Sequence, residues 1–147
     1  MRITTRGRYA LRASLALAKL GINREPVSIN SLSEQENISS VFLEQIFFKL
    51  KKAGIVSSIR GPGGGFCFAQ SLDKLTVKQI LEAAGEDLDI TFCDKRSGNC
   101  EWIGECMSHH VWIDVNEMVK NYFAGITLSS ILEKYGNTVN LEAEKHE

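Results

Sequence analysis

The sequence predicts a mainly α fold with one small β-hairpin: a winged helix-turn-helix followed by a long C-terminal helix suited to dimerisation. Three observations predict it. Residues 29–36 and 40–53 read as two amphipathic helices joined by a short turn. "IVSSIRGPGGGFCFAQ" follows at once and reads as two strands around a glycine-rich turn, which is where a wing belongs. Residues 106–123 then carry Val111, Val115, Met118 and Tyr122 at spacings of 4, 3 and 4, the seam of a coiled coil.

Each element has a local justification. Residues 8–20 form a first helix, with Tyr9, Ala13, Ala16, Leu17 and Leu20 at helical spacing, and "GINREP" breaks it. Ser28 caps the second helix, which buries Ile29 and Leu32. Asn37 in "ENIS" tolerates the left-handed backbone of a tight turn. Ser39 or Ser40 caps the third helix, whose inward stripe is Leu43, Ile46, Phe47 and Leu50, and Gly54 stops it. The strands are residues 55–59 and 66–69. A short helix over 75–84 is capped by Thr76 and turns Val77, Ile80 and Leu81 inward. The helix over 106–123 is about 27 Å long, which is long for a small domain. Thr127 caps a last helix over 128–134, and the polar tail after Gly136 frays. The expected organisation is a DNA-binding unit at 1–84, a cysteine loop and dimerisation helix at 85–136, and a disordered tail at 137–147.

The chain has 147 residues, enough for one core without disulfides. No apolar run approaches the ~20 residues that span a bilayer, and "MRITTRGRYALRA" has no apolar signal core. A cytoplasmic protein without a membrane partner is expected. The formal charge of -1 conceals an asymmetry: residues 1–72 hold ten Lys/Arg against four acids, and the rest holds seven against fourteen. A basic front half favours a polyanionic partner. The glycine run fits no nucleotide loop: no Gly-Lys-Ser/Thr follows, and Phe66 stands where a dinucleotide motif needs glycine.

"CDKRSGNCEWIGECMSHH" holds Cys93, Cys100, Cys106, His109 and His110, with spacing Cys-x6-Cys-x5-Cys-x2-His. In a reducing compartment, clustered cysteines bind metal or sense redox more often than they form bridges. Three thiolates and an imidazole fill four coordination positions. Cys106 and His109 stand three residues apart at a predicted helix start and so face one side, and His110 roughly shares it. Spacing does not choose between the two histidines. Zinc sites favour close Cys-x2-4-Cys knuckles, whereas iron–sulfur clusters accept looser spacing and histidine ligation. A nucleophilic Cys106 with His109 as base has no accompanying pocket or oxyanion signal, so no enzyme is expected. Cys67, between Phe66 and Phe68, reads as a packing residue or a partly exposed thiol.

"MRITTRGRYALRA", "FLEQIFFKLKKAGIVSSIRGPGGGF" and the cysteine loop together resemble the family of bacterial winged-helix regulators that includes the iron–sulfur cluster regulator IscR. The resemblance runs from Met1 to about Gly136. It implies a homodimeric transcription regulator of double-stranded DNA operators, acting as repressor or activator. It further implies a 2Fe–2S cluster held by Cys93, Cys100, Cys106 and His109, with cluster occupancy deciding promoter choice and cluster-assembly proteins delivering the cluster. A nitric-oxide-sensing branch takes an acidic ligand from near the partner chain's N-terminus, where this chain has Arg8. Another redox-sensing branch uses a Glu and a His on the first helix, where Arg8 and Arg12 stand. Both differences favour the IscR-like branch. The first cysteine gap is one residue longer than that branch's pattern.

On this reading the third helix enters a major groove, with Ser39, Ser40, Glu44 and Gln45 near base edges. Arg2, Arg6, Arg8, Lys49, Lys51 and Lys52 meet phosphates, which position without specifying. Arg60, beside Gly61 at the wing tip, enters a minor groove. Two alternatives remain: a nitric-oxide- or iron-responsive regulator of the same family, and a zinc-stabilised or electron-transfer module that binds no DNA.

Overall fold

The computed structural model describes residues 1–93 and 100–137. Its order is α1 (Thr5–Leu20), a single 3-10 turn (Ile22–Arg24), α2 (Ile29–Glu36), α3 (Ser40–Lys52), β1 (Val56–Ile59), β2 (Gly65–Phe68), α4 (Val77–Ala83), α5 (His109–Ala124) and α6 (Leu128–Tyr135). This is the expected mainly α fold with a two-stranded wing.

α1 begins three residues before the position that periodicity alone predicts. Thr4 is its N-cap, and the Glu86 carboxylate accepts bonds from the Thr4 and Gly7 amides at 3.1 Å each. The Thr4 hydroxyl donates to it as well. Helix starts leave amides without partners, and a carboxylate there also meets the positive end of the helix dipole. A Cβ on Gly7 would lie 2.6 Å from Glu86 Cγ, so the close approach requires glycine. α1 buries Ala10, Ala13, Ala16 and Leu17, while Tyr9 is half-buried and Leu20 is exposed. The buried stripe is therefore narrower and smaller-sided than the predicted one.

α2 is capped by Ser28, whose hydroxyl accepts from the Ser31 amide, and it ends at Asn37 in the left-handed conformation. Ile38 is buried, and the Ser33 hydroxyl donates to its carbonyl at 2.6 Å, holding the turn. α3 buries Leu43, Ile46, Phe47 and Leu50. Fully burying such side chains contributes about 1.5–3 kcal/mol each. In the wing, Val56 pairs with Phe68 and Ile59 with Gly65, antiparallel. Val27 extends the pair by exchanging bonds with Phe66 at 2.9 and 2.8 Å. A Cβ on Gly65 would fall 2.2 Å from the Val27 carbonyl oxygen, which explains the last glycine of the run. Phe66 packs on Phe47 with centroids 5.0 Å apart, fixing the wing to α3.

α4 and α6 each open with a capping box, Thr76 with Gln79 and Thr127 with Ser130. α6 returns to the winged unit: Leu128 is fully buried in the main core, and its amide donates to Leu75. A second cluster of Val77, Leu81 and Leu88 packs with Ile3, Leu11, Phe123, Ile126 and Ile131. α5 begins at His109 rather than Cys106; Ser108 precedes it without a side-chain capping bond, its carbonyl accepting from the Val111 and Trp112 amides. No helix among the described residues is long and apolar enough to cross a membrane. The tail expected to be disordered lies, from residue 138 on, outside the described residues.

Candidate functional site

The chain presents two surfaces with chemical character. The first is the outer side of α3 with the wing. α2 and α3, joined by Asn37, Ile38 and Ser39, hold α3 with its buried stripe on the core and its other side in solvent. At about 100° per residue, the meridian opposite that stripe carries Val41, Gln45, Phe48 and Lys52, with Glu44 on its flank. Ser39, Glu44, Gln45, Lys51 and Lys52 are exposed, and Ser40 and Lys49 half-buried. Ser39 caps α3 by conformation, with no side-chain capping bond.

The basic groups surround this surface. Lys51 Nζ donates to Ser58 Oγ at 2.6 Å, which holds its ammonium beside the wing. Lys49 Nζ and Arg6 Nη1 lie 3.6 and 3.7 Å from where a Cβ on Gly85 would stand, so α1 and α3 direct two cations to one place. Arg2 and Arg8 are exposed near the start of α1, and Arg60 and Gly61 at the wing tip. Arg12 serves the fold instead. It pairs with Glu36 at 3.1 Å and lies 5.1 Å from the Tyr9 ring centre, clipping α1 to α2.

The second surface is the cysteine loop and α5. Lys120 pairs with Asp89 at 2.6 Å, and the buried Asn116 side chain accepts from the Ile90 amide at 2.8 Å. The stretch of chain leading to Cys93 is thereby tied to α5 at two points. Cys93 and Cys106 are half-buried, Cys100 is exposed, His109 is buried and His110 exposed. Cys106 lies in the turn ahead of α5, so the shared helix face expected for Cys106 and His109 does not form. They are linked instead through the His109 amide, which donates to the Cys106 carbonyl at 3.2 Å. The Ser108 hydroxyl, 3.1 Å from Cys106 Sγ, followed by the His109 backbone, holds the Cys106 thiol below its usual pKa. A thiolate is the form that ligates metal.

Among the described residues, no three His, Cys, Asp or Glu side chains gather as a metal site. Residues 94–99, inside the loop, lie outside the described residues. The donor set of three thiols and an imidazole nevertheless fits an iron–sulfur cluster. Thr91 Oγ1 and Asn116 Nδ2, buried without a hydrogen-bond partner among the described residues, add polar atoms of the kind that bond to cluster sulfur. Cys67 stands across from Ser57 in the hairpin, 3.3 Å from its hydroxyl.

Three of the four residues expected to form the α5 seam are solvent-facing in the single chain: Val111 is 54% exposed, Met118 68% and Tyr122 67%, while Val115 is half-buried. Two roles were not legible in the sequence: Glu86 and Asn116 act through partners 79 and 26 residues away. Val41 and Phe48 lie off the predicted inward stripe of α3 and are exposed.

A family model described as an iron-dependent transcriptional regulator, Rrf2, matches residues 3–134. IscR of Pectobacterium carotovorum is 37% identical over 132 residues, covering 90% of this chain and 79% of that protein. The solved structure of T. potens IscR superposes with a TM-score of 0.72 at 28% identity, covering 91% of this chain and 88% of that one. The structure of CymR, the global cysteine regulator of B. subtilis, gives 0.74 at 27% identity, covering 91% and 98%. With a helix-turn-helix, a wing and a match over most of its length, this chain belongs to the Rrf2 family of DNA-binding transcriptional regulators and is not an enzyme.

Proposed function

We propose that this regulator works as a cytoplasmic homodimer whose 2Fe–2S cluster, held by Cys93, Cys100, Cys106 and His109, sets which operators it binds. The observation that carries the reading is the donor set itself: three cysteines and a buried imidazole on a segment tied to α5. The cluster would supply a redox- and iron-sensitive group. Residues 1–84 bind DNA, and residues 85–136 carry the loop and the helix that pairs with its twin. Burying the Val111, Met118 and Tyr122 seam against a second copy removes apolar surface from water, and two-fold symmetry spaces two half-sites about one DNA turn apart. The Asp89–Lys120 and Ile90–Asn116 links connect the loop to α5, and Glu86 connects the segment before the loop to α1. Cluster-assembly proteins deliver the cluster.

Purification without oxygen tests the reading. Red-brown protein with two irons and two sulfides per chain supports it; colourless protein with zinc, or none, refutes it. A second reading is a family member answering another signal, such as nitric oxide or iron supply; the likeness to CymR, a global cysteine regulator, favours a different signal within the same fold. A genome-wide binding map with and without the cluster separates the two.

Glu44 carries a specific expectation. A carboxylate on a DNA-facing helix is repelled by phosphates, so its presence calls for a reason. It can accept a hydrogen bond from cytosine and penalise sites lacking one. The rival explanation is favourable interaction with the helix dipole, but the first turn of α3 holds no acid, and Glu44 lies beyond it, where that effect fades. Glu44→Ala is expected to leave thermal stability unchanged and to admit operators formerly refused, by about 1–3 kcal/mol per altered base position. An unchanged preference across an operator panel would count against the readout.

A further inference from the structure

The outermost line of α3 is half apolar. Val41 is 63% exposed and Phe48 67% exposed, on the side opposite Leu43, Ile46, Phe47 and Leu50. With Glu44, Gln45, Lys49 and Lys52 they line one shallow hollow. Neither packs on the core, so both bear a solvation cost that folding does not remove. The residues around them define what covers them. Lys49, Lys51 and Lys52 give the helix end a positive field, which matches a polyanion. The apolar group that a DNA major groove offers is the C5-methyl of thymine.

We infer that Val41 and Phe48 read thymine methyls, making this face a paired apolar reader as well as a polar one. The inference rests on the assignment of the chain as a DNA-binding regulator. Seven residues separate the two side chains, about 10 Å along the helix. At 3.4 Å per base step that is roughly three base pairs. Gln45 lies between them on the same meridian, where its amide can pair with adenine. The face therefore fits a half-site with two thymines about three steps apart, with a hydrogen-bonded base between.

Uracil scanning tests it. The duplex bound best from a random-sequence pool is resynthesised with each thymine replaced singly by uracil, which deletes only the methyl. The full chain is expected to lose about fourfold in affinity at two positions per half-site, the worth of one buried methyl. Phe48→Ala abolishes the sensitivity at one position and Val41→Ala at the other, with binding to random-sequence DNA unchanged. Both side chains are exposed, so unaltered melting temperatures are expected and confirm folded variants. Indifference to uracil at every position overturns the inference while leaving DNA binding intact. The same holds if Phe48→Ala weakens random and selected DNA equally, which would mark a sugar–phosphate contact, or weakens neither, which would mark a protein partner. Failure to select any duplex overturns the DNA-binding assignment, and the inference with it.

Discussion

Replacing Cys93, Cys100 or Cys106 with alanine is expected to yield colourless protein that remains a folded dimer. A 2Fe–2S cluster needs four protein ligands, and each substitution removes one thiolate. The fold is expected to survive because none of the three cysteines belongs to a buried cluster; they are exposed or half-buried, beyond the two cores. Surface changes of this kind usually alter stability by less than about 0.5 kcal/mol. The two histidines divide by burial. His109 is 7% exposed and His110 is open to solvent. His109→Ala is expected to weaken the cluster far more than His110→Ala. Iron and sulfide content, visible absorption and elution volume measure all of this. Equal loss from the two histidine variants, or a retained cluster in any cysteine variant, would remove the ligand assignment.

DNA affinity is expected to fall about 10³- to 10⁵-fold between 50 and 200 mM salt, the range for six to ten phosphate contacts. The structure supplies the cations: Arg2, Arg6, Arg8, Lys51, Lys52 and Arg60 are exposed, and a dimer doubles them. Arg12 does not count, because its guanidinium is engaged by Glu36. Lys51→Ala and Lys52→Ala are expected to weaken every operator alike and to flatten the salt slope by about one unit per lost contact. Arg60→Ala acts selectively, hitting hardest where the minor groove under the wing is narrow. Anisotropy titrations across a salt series give the slope directly. Binding that ignores ionic strength would contradict the charge asymmetry.

Local signals accounted for most element boundaries. Ser28, Thr76 and Thr127 cap where expected, since a hydroxyl accepting an amide three residues on is a short-range event. Asn37 and Gly54 turn the chain in left-handed conformations for equally local reasons. The two misplaced helix starts have different causes. α1 begins at Thr5 because its first amides are satisfied by Glu86, a partner no local pattern announces. α5 begins at His109 after a turn in which the Cys106 amide donates to the Trp102 carbonyl, and an apolar period carries no information about that. The spacing placed three cysteines and two histidines in one segment, but spacing is silent on burial, which is what distinguishes His109 from His110.

The sequence by itself determined the order of elements, the caps, the turns and the basic front half, because each depends on residues within a few positions or on a sum of charges. Only the tertiary structure decided which faces meet. It put Ala10 rather than Tyr9 fully into the core. It turned Val111, Met118 and Tyr122 of the α5 seam to solvent while burying the polar Asn116 against the Ile90 amide. It buried His109 and left the adjacent His110 open to solvent. The physical reason is common to all three. A side chain's affinity for water is its own property, but whether water reaches it depends on what the rest of the chain places against it.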